Sequence, residues 1–549
     1  MGKVTIDDIA IEVPDGTNLM EAARKAGVEI PHFCYHPGLS VVAQCRMCLV
    51  DITGIPKVQP ACNSFAKDGM IVNTQNEKVK EAQRAVMEFL LINHPLDCPI
   101  CDQAGECKLQ DNSFGYGQGG SRYTISKRQY PGFDRTAIGP HVVADMTRCI
   151  QCTRCIRFCQ EISETGELSF QERGGRTLVW THEGRPLDNE MSACAADVCP
   201  VGALTVKEFR FRARVWYLEK ANSICAGCDV GCNVTVESKD KIAYRFLPRQ
   251  NFSVNDHWMC DYGRFLVEDF NRRDVKAPRR RATRDGDPAG SFETISFDAA
   301  IDAAAASLLA AKESKKRIVI VAPASLPTEA LWLAKKLAVE ALGSAEIVTF
   351  IPKGEKPHRV KNQKTWAEGI EGVPNGAGAR LLGLAESTNL LPEKGGNPEV
   401  VLVVDGDLAS LSQDPNLVKN LRKARTLIVL ARLDSQLTAA ADLVFPLAPH
   451  TESEGTFVNG RRRLQRFDRA FLPLDGNRPA WELLSRIGRL FGEGFSFVTA
   501  AAVFEAMSAA VPSLGGITFP SIGSEGISLE PKTAGAAPDP KPAPEEKKN

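Results

Sequence analysis

The opening residues VTIDDIAIEVP alternate apolar and polar side chains, the period of strands with one buried face, and predict a hairpin-like start. A helix follows over NLMEAARKAG, with Thr17 as its cap and Gly27 as its stop. Residues 77–93 place Val79, Ala82, Val86, Phe89 and Leu90 at helical spacing. That helix should end near Asn93, because Pro95 disfavours helical geometry at His94. From about residue 290 the pattern changes. RIVIVAP, EIVTFIP, VVLVVDGD and TLIVLARLD are unbroken apolar runs of the kind buried in parallel sheets. Helical stretches such as TEALWLAKKLAVEAL separate them, so this half reads as α/β. Beyond about 512 the chain turns rich in Pro, Gly and Ala and ends PDPKPAPEEKKN, which reads as a disordered tail.

A length of 549 residues implies several domains. Lys+Arg and Asp+Glu both number 67, so no net charge draws the chain to nucleic acid or to an anionic membrane surface. No apolar run reaches the roughly 20 residues of a spanning helix, and FDAAIDAAAASLLAA is interrupted by Asp298 and Asp302. The N-terminus resembles neither a signal nor a transit peptide, which leads us to expect an intracellular protein able to dock on a membrane complex.

The 17 cysteines change the picture most, because all lie between residues 34 and 260. Clustered thiols in an intracellular chain suit metal ligation better than disulfides. Cys34, Cys45, Cys48 and Cys62 have C-x10-C-x2-C-x13-C spacing. Four soft thiolates in a small β-rich domain fit a [2Fe–2S] centre, with zinc as the alternative. CIQCTRCIRFC supplies Cys149, Cys152 and Cys155 in the C-x2-C-x2-C arrangement that grips three corners of a cubane. Cys159 is followed by Gln160, whereas Cys199 heads CPVGAL, so Cys199 is taken as the fourth ligand. Cys159 and Cys194 then read as small buried residues or remnants of a second cluster. Cys225, Cys228, Cys232 and Cys260 make a further cubane site, or a structural zinc site. Finally, INHPLDCPICDQAGECKLQ offers only Cys98, Cys101 and Cys107, and His94 is the nearest spare ligand. An imidazole in place of a thiolate removes one negative charge and raises a cluster's potential.

H-x3-C-x2-C-x5-C, preceded by the four-cysteine domain and followed by C-x2-C-x2-C and CPVGAL, resembles the large iron–sulfur subunit of respiratory complex I. The same front end occurs in hydrogenases and some formate dehydrogenases. The resemblance implies a multidomain α/β and α+β chain. It would open with a β-grasp [2Fe–2S] ferredoxin-type domain at 1–80, a helical [4Fe–4S] module with one histidine and three cysteines at 81–140, and a ferredoxin-like [4Fe–4S] module at 141–214. A [4Fe–4S] domain at 215–275 and a truncated molybdopterin-oxidoreductase-like α/β domain at 276–511 would follow, then the tail at 512–549. It further implies one [2Fe–2S] and three [4Fe–4S] clusters, no molybdopterin, and electron transfer from a flavin subunit toward quinone-side clusters. The fourth cluster suggests a bacterial member, in a peripheral arm on the cytoplasmic side of the inner membrane, with other arm subunits as partners. An NAD-linked formate dehydrogenase or hydrogenase subunit is the alternative.

Other signals are weaker. GYGQGG at 115–120 satisfies G-x-G-x-x-G but lies in a connector, and RRDVKAPRRRATR reads as a solvated linker or subunit contact. His32, His36, His141, His182, His257 and His450 have no partners at ligand spacing.

Overall fold

The computed structural model describes residues 2–282, 291–343, 345–362, 365–384, 386, 396–405, 416–474 and 476–530, with 353–357 as backbone alone. The chain divides into two compact units, Met1–Leu218 and Glu219–Asn549.

The first unit starts with a five-stranded sheet. Its order is Ile9–Val13, Gly2–Ile6, Met70–Asn73, Leu49–Ile52 and Gln59–Pro60. Gly2–Ile6 runs antiparallel to Ile9–Val13 and parallel to Met70–Asn73. The alternation works as expected, since Val4 and Ile6 are buried while Lys3 is exposed. Helix Leu19–Lys25 covers that face with Leu19, Met20, Ala22 and Ala23. Its cap is Asn18 rather than Thr17. The Asn18 side chain accepts the Met20 N–H at 2.8 Å, while the Thr17 hydroxyl is turned back to the Pro14 carbonyl.

Helix Glu77–Asn93 ends where Pro95 dictates, with His94 extended. Its buried stripe is Val79, Gln83 and Met87, one residue per turn, and it faces strand Leu49–Ile52 through a Gln83 Nε2 bond to the Leu49 carbonyl at 3.4 Å. Phe89 points the other way and is 75% exposed, against its assignment to the apolar stripe. Two small sheets complete the unit, one of Leu204–Val206, Val142–Ala144 and Thr136–Ala137, the other of Leu168–Gln171 and Leu178–Thr181.

The second unit begins with the antiparallel strands Glu219–Ile224, Asn233–Lys239 and Ile242–Pro248. A seven-stranded sheet follows, in the order Phe292–Thr294, Arg279–Arg281, Leu443–Pro446, Thr426–Ala431, Val400–Val404, Ile318–Val321 and Glu346–Val348. The last five are parallel to one another. Successive residues feed different cores: Ile318, Ile320, Leu402, Ile428 and Leu430 one, Val319, Val321, Val401, Leu427 and Val429 the other. Burial of both faces is why these strands read as unbroken apolar runs.

Two expectations change here. Arg279–Arg281, taken for a linker, is a strand of this sheet, with the Arg281 Nε donating to the Ala441 carbonyl at 3.0 Å. Thr283 and Arg284 of that run lie outside the described residues. Residues 512–530, assigned to the tail, are folded: Leu514 and Ile522 are buried in the core and Ile527–Ser528 pairs with Arg463–Phe467. Residues 531–549 lie outside the described residues. Among the described residues no helix is long and apolar enough to cross a membrane.

Candidate metal centres

None of the 17 cysteines is disulfide-bonded. Cys34, Cys45 and Cys48 sit on the irregular segment between helix Leu19–Lys25 and strand Leu49–Ile52, and Cys62 on the single turn Ala61–Asn63. Ala43 and Arg46 both adopt positive φ, 49° and 60°, which wraps the backbone around Cys45. The Cys34 sulfur lies within interaction range of the Cys45 and Cys62 thiols, and Cys62 also of Cys48. The Cys34 N–H points at the Cys45 sulfur, 3.4 Å away. Amides aimed at sulfur are what a thiolate-held iron centre uses to spread its negative charge.

The second group is built at a helix end. Pro95 turns the chain out of the helix at His94, a one-turn helix carries Cys98, and Cys107 caps helix Lys108–Tyr116. His94, Cys98 and Cys107 line one cavity of about 430 Å³, and Cys101 and Cys98 lie within electrostatic reach of Cys107. Gln118, Gly119 and Gly120 of the GYGQGG run line the same cavity, so that run closes a wall where a free connector was expected. His94 Nδ1 is buried with no hydrogen-bond partner among the described residues. Burial lowers this imidazole to about 4, so it is neutral at neutral pH, the form that binds a metal.

Cys149, Cys152, Cys155 and Cys199 act electrostatically on one another and are brought together. Positive φ at Gln151 (56°) and Thr153 (64°) curls the first three into one loop. Cys159 and Cys194 are fully buried, and the Cys159 carbonyl accepts from the Ser163 hydroxyl at 3.3 Å. In the second unit Cys225, Cys228 and Cys260 form the corresponding group. Cys232 is buried on the same loop, its carbonyl accepting the Cys225 N–H at 2.8 Å, and Cys260 caps helix Asp261–Phe270.

The residues present fit iron–sulfur clusters. Burial pushes Cys149 and Cys225 up to about 12 and Cys107, Cys152 and Cys260 up to about 11. Such thiols stay protonated until a metal displaces the proton. Two glycines admit chain against the sulfurs: a Cβ on Gly202 would stand 2.3 Å from Cys101 Sγ, and one on Gly369 2.5 Å from Cys228 Sγ. Among the described residues no three His, Cys, Asp or Glu side chains converge on one ion-sized point.

Several supporting residues escaped sequence reasoning. Arg148, 2% exposed, bonds Asp97 at 3.0 Å between the second and third groups. Asn459 Nδ2 donates to the Val230 carbonyl at 3.1 Å and Gln465 Nε2 to the Gly231 carbonyl at 2.9 Å, so hairpin Gly455–Phe467 grips the cysteine loop from outside it. His450 is structural, its Nε2 2.9 Å from the Ile224 carbonyl and its ring stacked on Phe457.

Five family models match in chain order. Residues 2–77 match a 2Fe-2S iron-sulfur cluster binding domain, and 83–122 the NADH-ubiquinone oxidoreductase-G iron-sulfur binding region. Residues 139–205 match the NADH-quinone oxidoreductase subunit 3 ferredoxin-like domain, 218–268 an NDSU1/NuoG-like 4Fe-4S domain, and 377–490 molybdopterin oxidoreductase. Similar whole proteins include the G-type subunit of NADH-quinone oxidoreductase from Rickettsia felis, 40% identical over 63% of this chain and 50% of that protein. The mitochondrial NADH-ubiquinone oxidoreductase 78 kDa subunit of Candida albicans is 36% identical over 69% of this chain and 52% of its own length. The chain thus spans about half the length of the curated relatives it matches. A solved NAD+-reducing [NiFe]-hydrogenase is 31% identical over 39% of this chain and 91% of that one, with a TM-score of 0.34. With these domains, in this order, the chain belongs to the family of the large iron–sulfur subunit of NADH–quinone oxidoreductase, respiratory complex I.

Proposed function

We propose that the chain is an electron carrier of NADH–quinone oxidoreductase with no substrate site of its own. Cys34, Cys45, Cys48 and Cys62 would hold one [2Fe–2S] cluster. His94, Cys98, Cys101 and Cys107, then Cys149, Cys152, Cys155 and Cys199, then Cys225, Cys228, Cys232 and Cys260, would hold three [4Fe–4S] clusters. No residue set is assigned to molybdopterin. Such clusters supply one-electron storage at potentials set by their ligands and surroundings. The chain itself buries most of the thiols, Cys98 being exposed, aims amides at sulfur and, at His94, would replace one anionic ligand by a neutral one. Electrons would enter from a flavin subunit and leave toward quinone-side clusters, within a peripheral arm on the cytoplasmic side of a bacterial membrane. The names of the relatives, subunits of NADH–quinone and NADH–ubiquinone oxidoreductase, support a place in such a complex.

The observation that carries this reading is the buried, partnerless Nδ1 of His94 on the same cavity as Cys98 and Cys107. Low-temperature EPR of the reduced complex, wild type against His94→Cys, tests it. An added thiolate should lower the potential of one cubane and leave the other signals unchanged. Identical spectra and potentials throughout would remove His94 from the ligand set.

A further inference from the structure

Helix Arg154–Arg157 begins between Cys152 and Cys155, yet its two arginines reach out of the loop they belong to. Arg157 Nη2 donates to the carbonyl of Cys34 at 2.5 Å, its Nη1 to the carbonyl of Ser40, and its Nε to Thr153 Oγ1 at 3.2 Å. Arg154 Nη2 donates to the carbonyl of Tyr35 and its Nη1 to that of Val198 at 3.3 Å, the residue before Cys199. Three further bonds run between the same loops: Ser40 N–H to Glu161 Oε2 at 2.8 Å, Ser40 Oγ to Glu161 Oε1 at 2.5 Å, and Gln44 Nε2 to the Gln151 carbonyl at 2.8 Å. The segment carrying Cys34 and Cys45 is thereby tied, from several points, to the segment carrying Cys149, Cys152 and Cys155.

The charge of this lock needs an explanation. Arg154 and Arg157 are 8% and 4% exposed, and among the described residues neither has a carboxylate within ion-pair distance. Their hydrogen-bond acceptors are neutral carbonyls and one hydroxyl, and Arg154 Nε is buried with no acceptor. A buried, uncompensated guanidinium costs several kcal/mol. The groups that act electrostatically on Arg154 are the sulfurs of Cys152, Cys199 and Cys34, which favour its charge, and Arg157, which opposes it. With those sulfurs as thiolates around iron, the two cations stand between two anionic centres, and their burial is balanced. A point charge would serve for balance alone; two planar forks, each gripping carbonyls of the opposite loop, also fix geometry.

Resting on the cluster assignment above, we propose that Arg154 and Arg157 are positioning residues that lock the Cys34 loop onto the Cys149–Cys155 loop. They hold the [2Fe–2S] cluster and its neighbouring cubane at one separation and favour the electron on either.

The test uses the full chain in its complex, purified anaerobically. Its readouts are iron content, EPR-monitored redox titration, and relaxation enhancement of the [2Fe–2S] signal by the reduced cubane. Arg154→Gln removes a positive charge near both centres and should shift both potentials downward at unchanged iron content. Arg157→Lys keeps the charge but loses the fork, so potentials should hold while the relaxation enhancement is lost. A scaffolding role elsewhere in the unit would move neither readout in this divided way. If Arg157→Lys fails to load iron, Glu161→Gln loosens the same lock at its rim and should weaken the enhancement. Wild-type potentials in Arg154→Gln, or undiminished enhancement in Arg157→Lys or in its stand-in Glu161→Gln, would overturn the lock while leaving the clusters in place. A wild-type chain lacking either EPR signal would overturn the cluster assignment itself.

Discussion

Glu329 shows how one side chain reports on the α/β unit. It is fully buried on the first turn of helix Thr328–Lys336 and accepts the Thr456 N–H and hydroxyl, both at 2.9 Å. Burial raises it to about 7 from an ordinary 4.5, so the folded chain keeps a proton that the unfolded chain releases. Its contribution is therefore full below 4.5 and is lost as pH climbs to about 7. The unfolding free energy of wild type relative to Glu329→Gln, from denaturant titrations, should fall across that window by up to about 3 kcal/mol and stay level above it. Gly202→Ala makes a second, sharper case. Although Gly202 follows Cys199 by three residues, its added Cβ meets Cys101. The expected result is loss or distortion of the His94-group signal in EPR, with the Cys199-group signal retained. That the cysteines fall into separate groups was legible from spacing alone. Gly202 was not, because its reason for being glycine, Cys101, lies far away in the chain.

Secondary elements were read well where burial is simple. The unbroken apolar strands and helix Glu77–Asn93 came out as expected, since two-faced burial and Pro95 leave little choice. Errors arose where polar residues are buried. Gln83 replaces Phe89 on the inward stripe because its amide finds the Leu49 carbonyl. Arg279–Arg281 is a strand because its ladder bonds and the Ala441 carbonyl satisfy groups that looked solvated. Hairpin Gly455–Phe467 follows the same logic, with Asn459 and Gln465 buried against the Val230 and Gly231 carbonyls. Gln465→Leu leaves the Gly231 carbonyl without that donor and should destabilise the chain by about 1–3 kcal/mol in denaturant unfolding. It should also quicken loss of the Cys225-group iron to a chelator while the other groups keep theirs. Equal release from all groups would mean that the hairpin has no particular hold on that loop.

For the chain as a whole, domain order could be read because each cysteine group closes within one compact stretch, and the family models match those stretches in turn. The support between groups could not, since it runs through carbonyls and buried amides that carry no sequence signature. One [2Fe–2S] and three [4Fe–4S] clusters predict about 14 iron atoms per chain, and the unassigned pterin site predicts no stoichiometric molybdenum. Elemental analysis of the purified complex checks both numbers. A markedly lower iron count with colourless protein would favour zinc.

The Cys199–Gly202 segment has a consequence in time. Lys108 N–H bonds the Pro200 carbonyl at 3.1 Å, beside Cys107, and Gly202 lies against the Cys101 sulfur, so this segment packs on the His94 group. A ribosome releases residues 94–107 long before residues 199–202, and domains fold from the N-terminus during synthesis. The nascent chain therefore carries the whole His94 group before the segment that packs on it has been made, so the first group's residues wait for a support that belongs to the loop of the next.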